Sequence, residues 1–187
     1  MLTTILRDLR TTPPTDVDAE VVIDFPDSRF PDVEAAWSAE RLALAGTVQH
    51  AHWDWIRKLG NPDYRYVAVT LGASVEGLMA VARQPRASSL AVGEQLLYVA
   101  VVEVAPWNLH EHPSGARFRG VGRALVASAC RLSYDAGFDG RIALSSLPQA
   151  DGFYRTCGMT ECGTNYGLVY FELDEATAAA LRTQVGV

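Results

Sequence analysis

Residues 117–124 read Arg-Phe-Arg-Gly-Val-Gly-Arg-Ala, residue types that suit the binding of an anion. Gly120 and Gly122 carry no Cβ, so backbone N–H groups beside them can close on an oxyanion. Apolar residues follow at Leu125, Ala129, Leu132 and Ala136, the spacing of one helix face, and Gly137 supplies a left-handed C-terminal cap. A helix opening at the second glycine brings its positive N-terminal end to the same place. The stretch predicts a pyrophosphate cradle. Arg117 and Arg119 stand beside the glycines, where a phosphate role is favoured over a solvated surface charge.

Two well-known cradles do not fit these residues. A Walker A loop needs Lys and then Ser or Thr after its last glycine, and here Arg123 and Ala124 follow Gly122. A dinucleotide fingerprint needs three spaced glycines near the start of the chain, with a ribose-binding acid beyond the helix. This stretch has two glycines and lies late.

Other chemistry-bearing residues are few. Glu103 is the only side chain charged at neutral pH in the apolar run 96–104. Burial there raises a carboxyl pKa and suits a general base, or else a structural acid. Strand alternation sets Glu103 opposite Val102 and Val104, so its facing depends on whether the strand bulges. Cys130, Cys157 and Cys162 have no metal-ligand spacing and no basic partner, and read as two buried thiols on helix faces and one near a strand. His50 and His52, two apart, point in different directions on a helix and read as surface or internally satisfied groups. His110, Glu111 and His112 lack a further recognisable ligand, so no metal site is predicted.

The elements that position these residues can be read in order. Residues 1–19, with Pro13 and Pro14, read as a loosely held lead-in, and 21–25 as a first strand. Asp32 caps a helix over 33–44, Gly46 breaks it, and Thr47 caps a second helix running through Trp53, Ile56 and Leu59 to Gly60. Strands over 66–71 and 77–82 form an antiparallel hairpin. Residues 84–93 are a loop, 96–104 a buried strand closed by Pro106, and 141–146 another strand. Pro148 starts a helix carrying Ala150, Phe153, Tyr154 and Cys157 on one face, ended by Gly158. Strands at 159–162 and 168–173 and a helix at 176–182 close the chain.

With 187 residues, 49% hydrophobic and 20% charged, the chain has the size and composition of one folded domain. No stretch approaches the roughly 18 apolar residues of a membrane span, and the polar start lacks a signal-peptide core. A cytoplasmic protein without a membrane partner is expected. The net charge of −6 argues against nucleic acid as a general partner. Residues 117–155 hold six Arg and three Asp, a net +3 around the predicted anion site, which leaves −9 elsewhere. The acidic remainder suits a cationic or neutral partner.

The pattern Arg117-x-x-Gly120-x-Gly122 resembles the coenzyme A pyrophosphate loop of the GNAT superfamily of acyl-CoA N-acyltransferases. A second motif of that family, Asn-x-x-Ala-x-x-x-Tyr-x-x-x-Gly-Phe, is matched by Ala150, Tyr154, Gly158 and Met159 at the family's distance from the loop. Leu147 stands in place of its Asn and Met159 in place of its aromatic residue. The resemblance spans roughly residues 20–175, within a GNAT-like domain taken as 20–187. It implies an α/β fold with a mixed central sheet of about six to seven strands flanked by helices. It further implies acetyl-CoA as cosubstrate, with no metal, and direct acetyl transfer to a primary amine, or a non-catalytic acyl-CoA-binding module. Backbone groups of Val102 and Val104 would pair with the pantetheine arm. N–H groups of residues 119–123 (Arg119, Gly120, Val121, Gly122, Arg123) would hold the pyrophosphate. Tyr154 matches the family's general acid. The linker of ten residues from Trp107 to Ala116 is far longer than the family commonly uses, and is expected to border the acceptor. The acceptor is left open among small molecule, peptide and protein, as is a homodimer.

Overall fold

A computed structural model describes residues 2–58 and 61–186. The chain begins with a strand hairpin, β1 (Leu2–Asp8) and β2 (Thr15–Ile23), paired antiparallel from Leu2↔Val21 to Asp8↔Thr15. The expected loose lead-in is therefore part of the sheet. Its period-two pattern is inverted for a reader of hydropathy: Thr4 and Asp8 face inward with Leu6, while Ile5 is 64% exposed. Pro13 and Pro14 fall in the turn, where a missing N–H costs no ladder bond.

Helix α1 (Phe30–Ala43) buries Phe30, Val33, Trp37 and Arg41, one face at helical spacing. It starts earlier than expected because Pro31 serves its first turn, so Asp32 lies inside the helix and does not cap it. The second helix expected after Thr47 is absent among the described residues; its end at Leu59 and Gly60 lies outside them. Residues 44–55 are turns and bends, followed by a short 3-10 turn at Ile56–Lys58. Side chains take the backbone donors that a helix would have used: Glu34 accepts from Trp55 N–H at 3.0 Å, and Asp54 from Ile56 N–H at 2.8 Å.

The expected hairpin is β3 (Tyr64–Leu71) and β4 (Ser74–Ala82), with Gly72 in its turn at φ +60°. A two-residue strand, β5 (Arg86–Ala87), pairs with the start of β6 (Gln95–Val104). After the linker come β7 (Phe118–Arg119), α2 (Val121–Asp135), β8 (Ile142–Ser146) and α3 (Asp151–Thr156). Strands β9 (Thr160–Asn165) and β10 (Leu168–Leu173), helix α4 (Glu175–Arg182) and β11 (Val185–Gly186) complete the chain. Helix α2 ends as the sequence predicts: Gly137 lies at φ +84°, its N–H reaches Tyr134 O, and Phe138 N–H reaches Ser133 O.

The strands form one mixed sheet in the order β11-β1-β2-β3-β4-β6-β8-β10-β9. It exceeds the expected six or seven because of the N-terminal hairpin and the short strands β5, β7 and β11. On one face α2 and α4 cover an apolar core containing Leu6, Val67, Met79, Val99 and Leu125. On the other, α1 packs Phe30 and Trp37 with Trp55, Leu78 and Ala80.

Candidate active site

Strand β6 builds the site by parting from its neighbour. It pairs in parallel with β8 only from Leu97↔Ile142 to Val99↔Leu144, then continues to Val104 with β4 alone beside it. Its register against β4 slips between Val99 and Val101, so Ala100 is the extra residue of a bulge. The slip turns the strand over. Leu97 and Val99 share the α2-side core, and after the bulge Val102 and Val104 take that side. Glu103 is thereby sent to the opposite, α1 side. The backbone changes phase with it: Ala105 N–H donates to Glu76 O of β4, so by alternation Val102 and Val104 turn their N–H and C=O groups toward the open edge.

The parted strands frame a cleft of ≈ 750 Å³, lined on its walls by Val99 to Glu103, Arg119 to Arg123, Leu147, Ala150 and Tyr154. At one end α2 points its first turn inward. Ala124 N–H bonds to Gly120 O, which leaves the N–H groups of Val121, Gly122 and Arg123 without intrahelical partners. The two glycines have separate reasons. Gly120 sits at φ +101°, a backbone state that L side chains rarely adopt. A Cβ on Gly122 would stand 3.2 Å from Phe153 Cζ, so its absence lets α3 pack against the loop. Strand β7 ties the loop to the N-terminal hairpin through Arg7↔Arg119 and Asp8↔Phe118.

The arginines divide. Arg119 is exposed and lines the cleft. Arg123 also lines it, with Nε donating to Gln184 Oε1 at 2.8 Å. Arg117, expected beside the phosphate, is not among the lining residues; its guanidinium lies 5.0 Å over the Trp107 ring. The pairing follows from the backbone, since Arg117 N–H bonds to Trp107 O and brings the two side chains together.

Glu103 is 3% exposed. Trp55 Nε1 donates to its Oε2 at 2.5 Å, while Oε1 is buried without a hydrogen-bond partner, 3.5 Å from Arg41 Nε and 3.9 Å from His50 Nε2. Desolvation raises its pKa to about 7, against the opposing Arg41 charge and the Trp55 bond. Here burial wins over the cation. A carboxyl that titrates near neutrality, buried at a residue of the cleft lining and with a free lone pair, is chemically equipped to accept a proton.

Tyr154 is 7% exposed, packed against Phe153 and Phe171, and lines the same cleft. Its hydroxyl makes no hydrogen bond to the protein among the described residues. Burial pushes its pKa well up, so the phenol holds its proton through the neutral range and acts as a donor. The thiols behave otherwise. Cys130 and Cys157 are buried, in α2 and just beyond α3, and burial raises both, Cys130 to about 12.

Of the two readings of His50, surface or internally satisfied, the structure bears out the second: it is buried and hydrogen-bonded to Gln149. What sequence reasoning missed is that it also faces Glu103. His52 is exposed. The long linker borders the cleft through Asn108, Leu109, His110 and Glu111. Trp107 does not line it. Its Nε1 donates to buried Glu76 at 2.8 Å and its ring meets Trp37 edge-on at 6.4 Å, so it anchors the linker. His112 joins the linker to α1 through Glu40 at 3.2 Å. Trp107→Ala is expected to cost about 3–5 kcal/mol in thermal unfolding, the usual range for a buried indole. An unchanged Tm would place the linker's anchor elsewhere.

No known family's sequence pattern matches the chain, and no curated protein matches it. Solved structures do. One is a variant of the toxin AtaT bound to the C-terminus of the antitoxin AtaR and acetyl-CoA, 15% identical over 89% of this chain and 99% of that one, TM-score 0.56. Another is the PaiA N-acetyltransferase from Thermoplasma acidophilum in complex with coenzyme A, 14% identical over 83% and 98%, TM-score 0.56. A third is the KacTA–DNA complex, 13% identical over 88% and 98%, TM-score 0.59. At such identities the likeness is one of fold, and the fold is that of the GNAT acyltransferases.

Proposed function

We propose that this protein transfers an acetyl group from acetyl-CoA directly to a primary amine. The observation that carries the reading is a single cleft uniting the open edge of β6, the first turn of α2, Glu103 and Tyr154. Solved structures of this fold that hold acetyl-CoA or coenzyme A support it. The residues suit that cosubstrate. Val102 and Val104 offer outward N–H and C=O groups to the amides of a pantetheine arm. The N–H groups of residues 121–123, with Arg119 beside them, suit a pyrophosphate.

Acetyl-CoA supplies a thioester whose carbonyl carbon an amine can attack. Glu103 takes the proton of the attacking nitrogen at Oε1, freeing its lone pair as the C–N bond forms. An outward backbone N–H of β6 stabilises the oxyanion. Tyr154 gives its proton to the sulfur as the C–S bond breaks. The acceptor class stays open among small molecules, peptide N-termini and lysine side chains. Because a structure of this fold contains DNA, an acidic net charge does not remove nucleic acid from its partners, and that expectation is withdrawn.

Coenzyme binding through the loop is tested by Gly120→Val. Forcing a β-branched residue to φ +101° costs on the order of 1–3 kcal/mol, so the free loop relaxes from this conformation, and re-forming it on binding lowers acetyl-CoA affinity by about 10- to 100-fold in calorimetry. Unchanged affinity in a folded variant overturns the pyrophosphate assignment. Replacing His110, which lines the cleft from the linker, should change acceptor KM and leave acetyl-CoA affinity alone.

A further inference from the structure

Gln49, His50, Gln149 and Glu103 form a chain of polar contacts with one consistent arrangement of protons. Gln149 Oε1 accepts from Gln49 N–H at 2.8 Å, which fixes the orientation of its amide. Its NH₂ group is then the donor to His50 Nδ1, 3.1 Å away. An imidazole that accepts at Nδ1 in its neutral form carries its proton on Nε2. That nitrogen stands 3.9 Å from Glu103 Oε1, the carboxylate oxygen buried without a hydrogen-bond partner. All three residues belong to the lining of the cleft.

We propose that Gln149 holds His50 in its Nε2–H tautomer so that His50 acts as the positioning residue for Glu103, its N–H directed at the oxygen that accepts the substrate proton. The consequence for rate rests on the acetyl-transfer reading; the tautomer and its effect on Glu103 do not. The reach of 3.9 Å is long for a hydrogen bond, as catalytic contacts often are before substrate enters, and a small side-chain adjustment closes it. Burial and the Arg41 charge lower the His50 pKa from its ordinary value, which favours the neutral ring.

The charges around the pair are these. Arg41 and Glu34 face Glu103 from α1, and Lys58 faces it from the 3-10 turn. Arg41, His52 and Glu111 of the linker act on His50. Among them a neutral donor aimed at Oε1 favours the ionised carboxylate, so its loss should raise the Glu103 midpoint.

The test uses the full chain labelled with ¹⁵N-histidine and ¹³C-glutamate. At about pH 8 the His50 ring nitrogens should show the neutral Nε2–H pattern. In Gln149→Leu, a change at the cleft rim, that preference should be lost and the Glu103 midpoint should rise by about half to one pH unit. His50→Leu should raise it likewise, and His50→Asn, which keeps an N–H donor, should restore part of the shift. A wild-type ring protonated on Nδ1, or a Glu103 midpoint unmoved in folded Gln149→Leu, overturns the proposal. Failure of the acetyl-transfer reading would show separately, as wild-type protein that neither binds acetyl-CoA nor releases its thiol, while the two spectra still decide the tautomer.

Discussion

Glu103→Gln should lower amine acetylation by about 10³-fold, inside the range a positioned base contributes, with acetyl-CoA affinity unchanged. The substitution keeps shape and volume, and a carbonyl oxygen remains for Trp55 Nε1. What disappears is the proton acceptor. With a pKa raised to about 7, wild-type Glu103 is mostly protonated below that pH and ionised above it. The rate should therefore climb as pH rises through about 7, and this limb should vanish in the variant. Stability runs the opposite way. Between the ordinary carboxyl value of 4.5 and about 7 the folded chain binds more protons at this site than the unfolded chain. Its contribution to stability is thus largest at low pH and declines as pH rises across that window. Glu103→Gln should flatten this part of the stability profile. A folded variant with full activity and an intact acid limb would leave Glu103 as a structural partner of Arg41.

Tyr154→Phe should reduce the rate by about 10²-fold, the low end of general-acid assistance, since a thiolate can leave without help. Only the hydroxyl is removed. Its ring contacts with Phe153 and Phe171 remain, so thermal stability and acetyl-CoA affinity should hardly move. Because burial raises the phenol, its loss should leave the acid limb near pH 7 in place. Full kcat in a folded variant would make Tyr154 a core aromatic and nothing more.

The parts of the fold legible in the sequence are those set by local rules. Helix α2 was written in the spacing of Leu125, Ala129 and Leu132 and in Gly137, and β6 in its apolar run. The N-terminal hairpin was hidden because Thr4 and Asp8 point inward and Ile5 outward, which defeats hydropathy. The absence of the second helix was hidden because Glu34 takes the Trp55 N–H from 21 residues away, while Asp54 takes the Ile56 N–H locally. Within the site, Glu103 stood out as a lone charge in an apolar strand, yet its facing depended on a bulge that leaves no mark in composition. His50 and Gln149 lie 99 residues apart, and no spacing rule joins them. Arg117 was placed beside the phosphate by proximity in sequence; the turn of the linker carried it to Trp107.

The most direct measurement is thiol release from acetyl-CoA by the purified chain across a broad panel of primary amines, with wild-type and Glu103→Gln proteins side by side. Acetyl transfer predicts amine-dependent release by the wild type with at least one acceptor, rising through about pH 7, and its near loss in the variant. Tight acetyl-CoA binding with no amine-dependent release from any acceptor would contradict it, and would make the protein an acyl-CoA-binding module.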